Sequence, residues 1–281
     1  MAGFAQQGQP RAKKSLGQNF LKDANIARKI VDALMIGPDD FVVEIGPGPG
    51  ALTAIIAAGE PRQLLLIEKD DHWAEDRRVS PVRGTAPEVM CADALTIAWE
   101  EMQSPWKCIG NLPYNVASPL MWEIFSRARG LCRAVFMIQK EVGQRITAEP
   151  GTSAYGALSV WIQTFMRPRM EFIVPPQVFV PRPKVDSAVL SFVPRETVPD
   201  KAEADALAKV LHRCFQQRRK QLGTIFKGTH MREDLLPSDS GIVFTMRPER
   251  LTPKQFLILA GMWKAPAREQ PPHAFPDVAI K

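Results

Sequence analysis

Long hydrophobic runs are missing from this 281-residue chain. None approaches the ~20 apolar residues that a membrane helix needs. The opening stretch, MAGFAQQGQPRAKKSLGQNF, lacks an apolar core, which argues against a secretory signal. It also lacks acids, the first being Asp23. A transit peptide tolerates that, but Ser and Arg are sparse there. The expectation is a cytoplasmic protein with a short, flexible basic arm over residues 1–15. Cysteine is scarce as well. Cys91, Cys108, Cys132 and Cys214 show no C-x-x-C spacing and no nearby histidine cluster. Reduced, mostly buried thiols and no metal are expected. Internal repeats are absent.

What is present is ordinary globular composition, 45% hydrophobic and 23% charged, with length for one large domain and a smaller second one. The net charge is +6, and residues 196–281 carry 14 Lys/Arg against 10 Asp/Glu. That balance suits a polyanionic partner.

From residue 41 apolar, β-branched runs alternate with helical periodicity. FVVEIG (41–46), QLLLIEKD (63–70), EVMCAD (88–93), KCIGN (107–111) and RAVFMIQK (133–140) read as strands. ALTAIIAAG (51–59), SPLMWEIFSRA (118–128) and SAYGALSVWIQTFM (153–166) read as helices. The alternation predicts an α/β, Rossmann-like, mostly parallel sheet. Residues 170–194 read as two strands joined by a proline-rich loop. After a break at PRETVPDK (194–201), residues 202–226 read as one long amphipathic helix and 252–263 as a later one. This gives a first domain over 1–195 and a small helical domain over 196–281. The tail after 264 has the composition of a loosely ordered end.

EIGPGPGA (44–51) lies between a strand and a helix, where open α/β sheets bind nucleotide cofactors. Gly46, Gly48 and Ala51 loosely match the dinucleotide fingerprint, and Glu68 stands where a ribose-binding acid belongs. Pyrophosphate binding, however, needs backbone N–H groups, and Pro47 and Pro49 have none. Glu44 adds a carboxylate that repels phosphate and suits a cation. S-adenosylmethionine (SAM) has a sulfonium, an ammonium and no phosphate. Glu68 then serves its ribose, and Asp93, ending the third strand, accepts from its adenine amino group.

The stretch GNLPYN (110–115) ends the fourth strand, on the same sheet edge. An adenine amino nitrogen is a poor nucleophile because its lone pair is delocalised into the ring. Two acceptors on its hydrogens favour a pyramidal, more reactive nitrogen. The Asn111 side-chain oxygen supplies one, and the Leu112 carbonyl, fixed by Pro113, the other. Tyr114 stacks on a base extruded from its helix or loop. The blander alternative is a strand-ending turn with Asn111 as an Asx cap. Its place beside Gly46, Glu68 and Asp93 favours the catalytic reading.

With these residues in view the chain closely resembles the KsgA/RsmA-type small-subunit rRNA adenine dimethyltransferases, class I SAM-dependent enzymes. The pieces are LGQNFL (16–21), EIGPGPGALT (44–53), IEKD (67–70), ADAL (92–95), GNLPYN (110–115), VFVPRPKVDSAV (178–189) and QRRKQLG (217–223). The resemblance spans about Lys13 to Trp263. It implies that Asn19, Leu21, Gly46, Glu68, Asp93 and Asn111 line the SAM pocket. It also implies N6,N6-dimethylation of two adjacent adenosines in the 3′-terminal hairpin loop of 16S rRNA, within an immature 30S subunit. Phe179 would then flank the target base opposite Tyr114; from sequence alone it is equally a core residue. Nothing local marks Asn19 as a cofactor contact, though Asp23 reads as a helix cap. After IEKD the charged stretch with Pro81 and Gly84 argues against a long regular helix.

Arg218, Arg219 and Lys220 follow Arg213 on the helix of the second domain and, with Arg11, Lys13 and Lys14 of the arm, could hold rRNA phosphates. An Erm-type large-subunit methyltransferase, an assembly factor with little turnover, and a dehydrogenase are the alternatives. NLPY, PRPKVDSAV and QRRK lean to the small subunit, and nothing requires more than a monomer.

Overall fold

A computed structural model describes residues 17–102 and 105–263. The basic arm with Arg11, Lys13 and Lys14, and the tail after 264, lie outside the described residues. Two compact units interleave along the chain. One takes residues up to 117, 129–140 and 170–192; the other takes 118–128, 141–169 and the chain from 193. Helical segments 118–128 and 141–169 thus group in space with the C-terminal helices, whereas the sequence boundary at 195/196 divides them.

Most of a seven-stranded sheet lies in the first unit. Its strands are β2 (Phe41–Ile45), β3 (Gln63–Glu68), β4 (Glu88–Cys91), β5 (Trp106–Asn111), β6 (Leu131–Gln139), β7 (Met166–Val174) and β9 (Ser187–Pro194). Their order is β4-β3-β2-β5-β6-β9-β7. The first five pair in parallel, and β9 pairs antiparallel to β6. The central strands are covered on both faces, so they read as nearly unbroken apolar runs. Val42, Leu64, Leu66, Ile109, Val135, Met137 and Val189 form one core with Ala27, Ile30, Leu34, Ile56 and Ala57 from the flanking helical segments. Helix α1 spans Ala24–Asp32, and the Asp23 carboxylate caps it by accepting from the Asn25 and Ile26 N–H groups. Helix α2 spans Thr53–Ala58.

After β3 a regular nine-residue helix, α3 (Asp71–Val79), does form. The Asp70 side chain caps its start, and it ends before Pro81. A two-stranded antiparallel ribbon, β1 (Phe20–Leu21) with β8 (Phe179–Val180), completes the unit; Phe20 faces Val180 and Leu21 faces Phe179.

The second unit holds α4 (Ala117–Arg127), α5 (Lys140–Ile146), α6 (Ala157–Phe165), α7 (Lys201–Gln216), α8 (Leu222–Ile225) and α9 (Pro253–Met262). Helix α7 opens with a reciprocal Asp200/Glu203 capping box and buries Ala204, Leu207, Leu211 and Cys214, one face at helical spacing. The expected single helix over 202–226 is broken: residues 217–221 form a turn. Arg218 explains the break. It pairs with Glu249 at 2.8 Å and donates to the Ser153 carbonyl at 2.8 Å. That tether draws the chain off the helix axis. All four thiols are free, but only Cys108 and Cys214 are buried; Cys91 and Cys132 are exposed, which corrects the expectation of mostly buried thiols. No helix among the described residues is long and apolar enough to cross a membrane.

Candidate active site

Chain order reverses between β2 and β5, and ligands bind beyond the carboxyl ends of the strands at such a switch point in sheets of this kind. β2 runs into the glycine turn and β5 ends at Asn111. The register places Ile45 beside Gly110, so the glycine turn and the tetrad Asn111-Leu112-Pro113-Tyr114 are neighbours.

Gly46, Gly48 and Gly50 all hold left-handed backbone, with φ of +66°, +49° and +89°. Residues with a Cβ are strained there, which accounts for the glycine spacing. The N–H groups of all three are already bonded: Gly46 to the Ile67 carbonyl, Gly48 to the Glu68 carboxylate at 3.0 Å, and Gly50 to the Pro47 carbonyl. Pro47 and Pro49 have none to give. Positions 46–50 therefore offer no free donor to a pyrophosphate; the Ala51 and Leu52 N–H groups that follow have no partner among the described residues. A Cβ on Gly46 would meet nothing within 4 Å, so its Cα faces open space.

Two buried carboxyls brace this turn. Glu68 accepts from Gly48 N–H with one oxygen and from Asp70 N–H at 2.9 Å with the other. Burial raises its pKa, against the pull of those donors. Glu44 accepts from the Thr53 hydroxyl at 2.7 Å, and burial pushes it up to about 7 although Thr53 and the Arg77 charge oppose this. Glu44 thus fastens the first residue of α2. Asp93 caps the turn 94–96 through the Leu95 N–H and pairs with the Lys69 ammonium at 2.6 Å. Partial burial pushes its carboxyl up, but Lys69 and Leu95 outweigh that and hold it below the usual range.

Asn111 donates from Nδ2 to the Asn19 carbonyl at 2.9 Å. A carbonyl accepts only from the NH₂ end, so the amide orientation is decided and Oδ1 is left as an acceptor. Leu112 N–H bonds to the Met137 carbonyl, and the Pro113 carbonyl accepts from Val116 and Ala117. The Leu112 carbonyl has no partner among the described residues. The Leu112 side chain is buried. Tyr114 is half-buried, its hydroxyl 2.8 Å from Ser187 Oγ at the start of β9; burial raises its pKa.

The segment before β1 ties these parts together. A Cβ on Gly17 would sit 3.7 Å from Pro113, the Gln18 amide donates to Asp70, and the Phe20 ring lies against Gly48 and edge-on to Trp73. Asn19 reaches the tetrad through its backbone carbonyl, while its own side chain bonds the Gly17 carbonyl. Leu21 and Phe179 sit in the hydrophobic core. Phe179 is only 3% exposed, so it takes the core alternative that the sequence left open and presents little ring face to a base. Sequence reasoning missed Ser187, Gln18 and Lys69. Their partners are 73, 52 and 24 residues away, and no local pattern announces such pairs.

A cofactor fits this site if it can approach the open side of Gly46 and donate hydrogen bonds to the lone pairs that Glu68 and Asp93 retain. SAM meets that description. No group of His, Cys, Asp and Glu among the described residues could hold a metal.

Known proteins place the chain more closely. The ribosomal RNA adenine dimethylase family matches residues 9–264. The ribosomal RNA small subunit methyltransferase A of Nitratidesulfovibrio vulgaris (strain Hildenborough) is 59% identical over 255 residues, covering 89% of this chain and 96% of that one. A dimethyladenosine transferase from Plasmodium falciparum superposes with a TM-score of 0.68 at 26% identity, covering 85% of this chain and 95% of that one. The 23S rRNA methyltransferase ErmE superposes with a TM-score of 0.65 at 25% identity, covering 86% and 98%. With a family match over nearly its whole length and a relative 59% identical, this chain belongs to the ribosomal RNA adenine dimethylase family.

Proposed function

We propose that this protein dimethylates N6 of two adjacent adenosines in the 3′-terminal hairpin loop of 16S rRNA, late in assembly of the 30S subunit. It uses SAM and works as a cytoplasmic monomer. Residues 1–195 carry the chemistry, and 196–281 dock on folded rRNA. The observation that carries this reading is the oriented amide of Asn111 at the sheet's switch point. The 59% identity to a small-subunit methyltransferase supports the small subunit over the large.

When bound, SAM supplies an electrophilic methyl group. The chain positions the nucleophile: Asn111 Oδ1 and the Leu112 carbonyl each accept one hydrogen of the adenine amino group. Both acceptors are held by the backbone, so little reorganisation accompanies attack. Tyr114, tethered by Ser187, offers its ring to the extruded base; such stacking is worth about 1–3 kcal/mol. The methylated nitrogen is strongly acidic, so no general base is needed. Asn19, Leu21, Gly46, Glu68 and Asp93 form the cofactor wall, Leu21 through packing and Glu68 through the lone pairs that its two backbone bonds leave over.

The test is to mix the protein with labelled SAM and unmodified small subunits, then map reverse-transcription stops. Stops at two adjacent adenosines near the 3′ end are expected, because a doubly methylated N6 cannot pair. Unlabelled particles, or stops confined to large-subunit rRNA, would refute the reading.

A further inference from the structure

We propose that the loop 181–186, Pro-Arg-Pro-Lys-Val-Asp, is a phosphate clamp. Arg182 and Lys184 hold the backbone of the rRNA strand on either side of the adenosine being methylated. The proposal rests on the rRNA reading above and assigns a substrate contact to a segment outside the tetrad and the cofactor wall.

The loop is fastened to the tetrad at both ends. Upstream, Phe20 faces Val180 in the β1–β8 ribbon, and continuing this antiparallel register sets Asn19 opposite Pro181. Asn19 is the residue whose carbonyl orients Asn111. Downstream, Ser187 bonds the Tyr114 hydroxyl, and Asp186 is held twice by Lys140, through the backbone at 3.0 Å and through the ammonium at 3.0 Å. The six residues between thus leave from beside one half of the base site and return to the other. Consecutive Cα atoms are about 3.8 Å apart. Arg182 therefore starts within about 4 Å of Pro181, and Lys184 within about 11 Å of Ser187.

Charge completes the argument. Arg182 and Lys184 are exposed and have no ion pair or hydrogen bond among the described residues. Lys140, the cation shown beside the loop, is engaged with Asp186. Two uncommitted cations on a loop anchored at both ends, beside a base-binding tetrad, match an extruded nucleotide with a phosphate on each side. Such contacts set register and affinity without reading sequence.

The experiment measures methylation of unmodified small subunits across 50–200 mM salt for wild type and R182A/K184A. For single strands the logarithmic salt slope changes by about 0.7 per phosphate contact, so losing two lowers it by about 1.4. Over that range the wild-type KM should rise about sevenfold more than the variant's. SAM affinity should be unchanged, and R182K/K184R should restore the wild-type slope. An unchanged slope in a folded, active variant overturns the clamp, as does a matching loss of SAM affinity. If R182A/K184A does not fold, Arg182→Gln and Lys184→Gln singly should each lower the slope by about 0.7; no change in either refutes it. Failure of wild type to label rRNA at all would instead remove the underlying reading, and the clamp with it.

Discussion

Asn111 has an amide whose two ends cannot be exchanged. Its NH₂ is fixed on the Asn19 carbonyl, so the oxygen alone is available to a substrate. Asn111→Ala should leave SAM affinity within a few-fold of wild type. It should lower the rate of methyl transfer about 100-fold or more, the scale of losing one preorganised polar contact in a reacting site. Equilibrium binding and single-turnover rates separate the two effects, and a rate within tenfold of wild type would take Asn111 out of the chemistry. Glu44 makes a different claim, on stability. Its carboxyl is raised from an ordinary 4.5 to about 7, mainly by burial. The native state therefore binds a proton more tightly than the unfolded chain. Its contribution is fully present below pH 4.5 and lost as pH rises through about 7. Between those limits the loss is about 3 kcal/mol. Glu44→Gln keeps an oxygen to accept from Thr53 and removes the titration. Urea unfolding of the two apoproteins should show the variant gaining on wild type between pH 5 and 8, and a flat difference would contradict the shift. Sequence named Asn111 as a site residue and set the Glu44 carboxylate beside the glycine turn. It did not disclose that one faces Asn19 and the other is sealed against Thr53, because those partners are set by packing.

At the scale of elements the parallel strands were legible because burial on both faces leaves unbroken apolar runs; FVVEI and WKCIG could scarcely be anything else. The glycine turn was legible because left-handed backbone demands glycine. Less was visible where tertiary contacts override local pattern. α5 begins immediately after β6 without a turn residue to mark it, and β7 starts at Met166, within a stretch whose periodicity reads as helix. The β1–β8 ribbon joins segments roughly 160 residues apart, which no local signal encodes. Gly110 tests how tightly β2 and β5 must approach. A Cβ there would lie 2.7 Å from the Ile45 carbonyl oxygen and 3.0 Å from the Leu112 side chain. Paired backbone cannot yield as a side-chain tip does, so Gly110→Ala should destabilise by about 1–3 kcal/mol. It should also lower activity in the fraction that remains folded, since Asn111 follows directly. Gly261→Ala is the control: it sits in α9 with nothing within 4 Å of a new Cβ. There alanine should stabilise by up to about 1 kcal/mol. Thermal unfolding of both variants checks the contrast, and equal effects would show that the strand contact is unimportant.

The whole molecule carries a net charge of +6, but its cations do not act alike. A run such as Arg218-Arg219-Lys220 reads in sequence as one basic patch, because charge is visible there and partners are not. In the folded chain the run divides. Arg218 pairs with Glu249 and donates to the Thr152 and Ser153 carbonyls, all within its own unit. Arg213 likewise donates to the Ile225 carbonyl and lies over the Trp263 ring. Arg219 and Lys220 are exposed and have no ion pair among the described residues. Stability and rRNA affinity should therefore separate along three consecutive positions. Arg218→Ala strips partners from Glu249 and from two carbonyls, so it should lower stability by about 1–3 kcal/mol. Any loss of particle binding should then follow the fraction unfolded and leave the salt slope as it was. Arg219→Ala with Lys220→Ala should leave the unfolding midpoint within about a degree, since exposed, unpaired charges contribute little. If both cations meet single-stranded phosphates, the slope of log affinity against log salt should fall by about 1.4. Urea unfolding and salt-dependent binding to unmodified small subunits, run on the same preparations, give both readouts. Were Arg218→Ala to lower the slope without loss of stability, its tether to Glu249 would be incidental and its charge would belong to the docking surface.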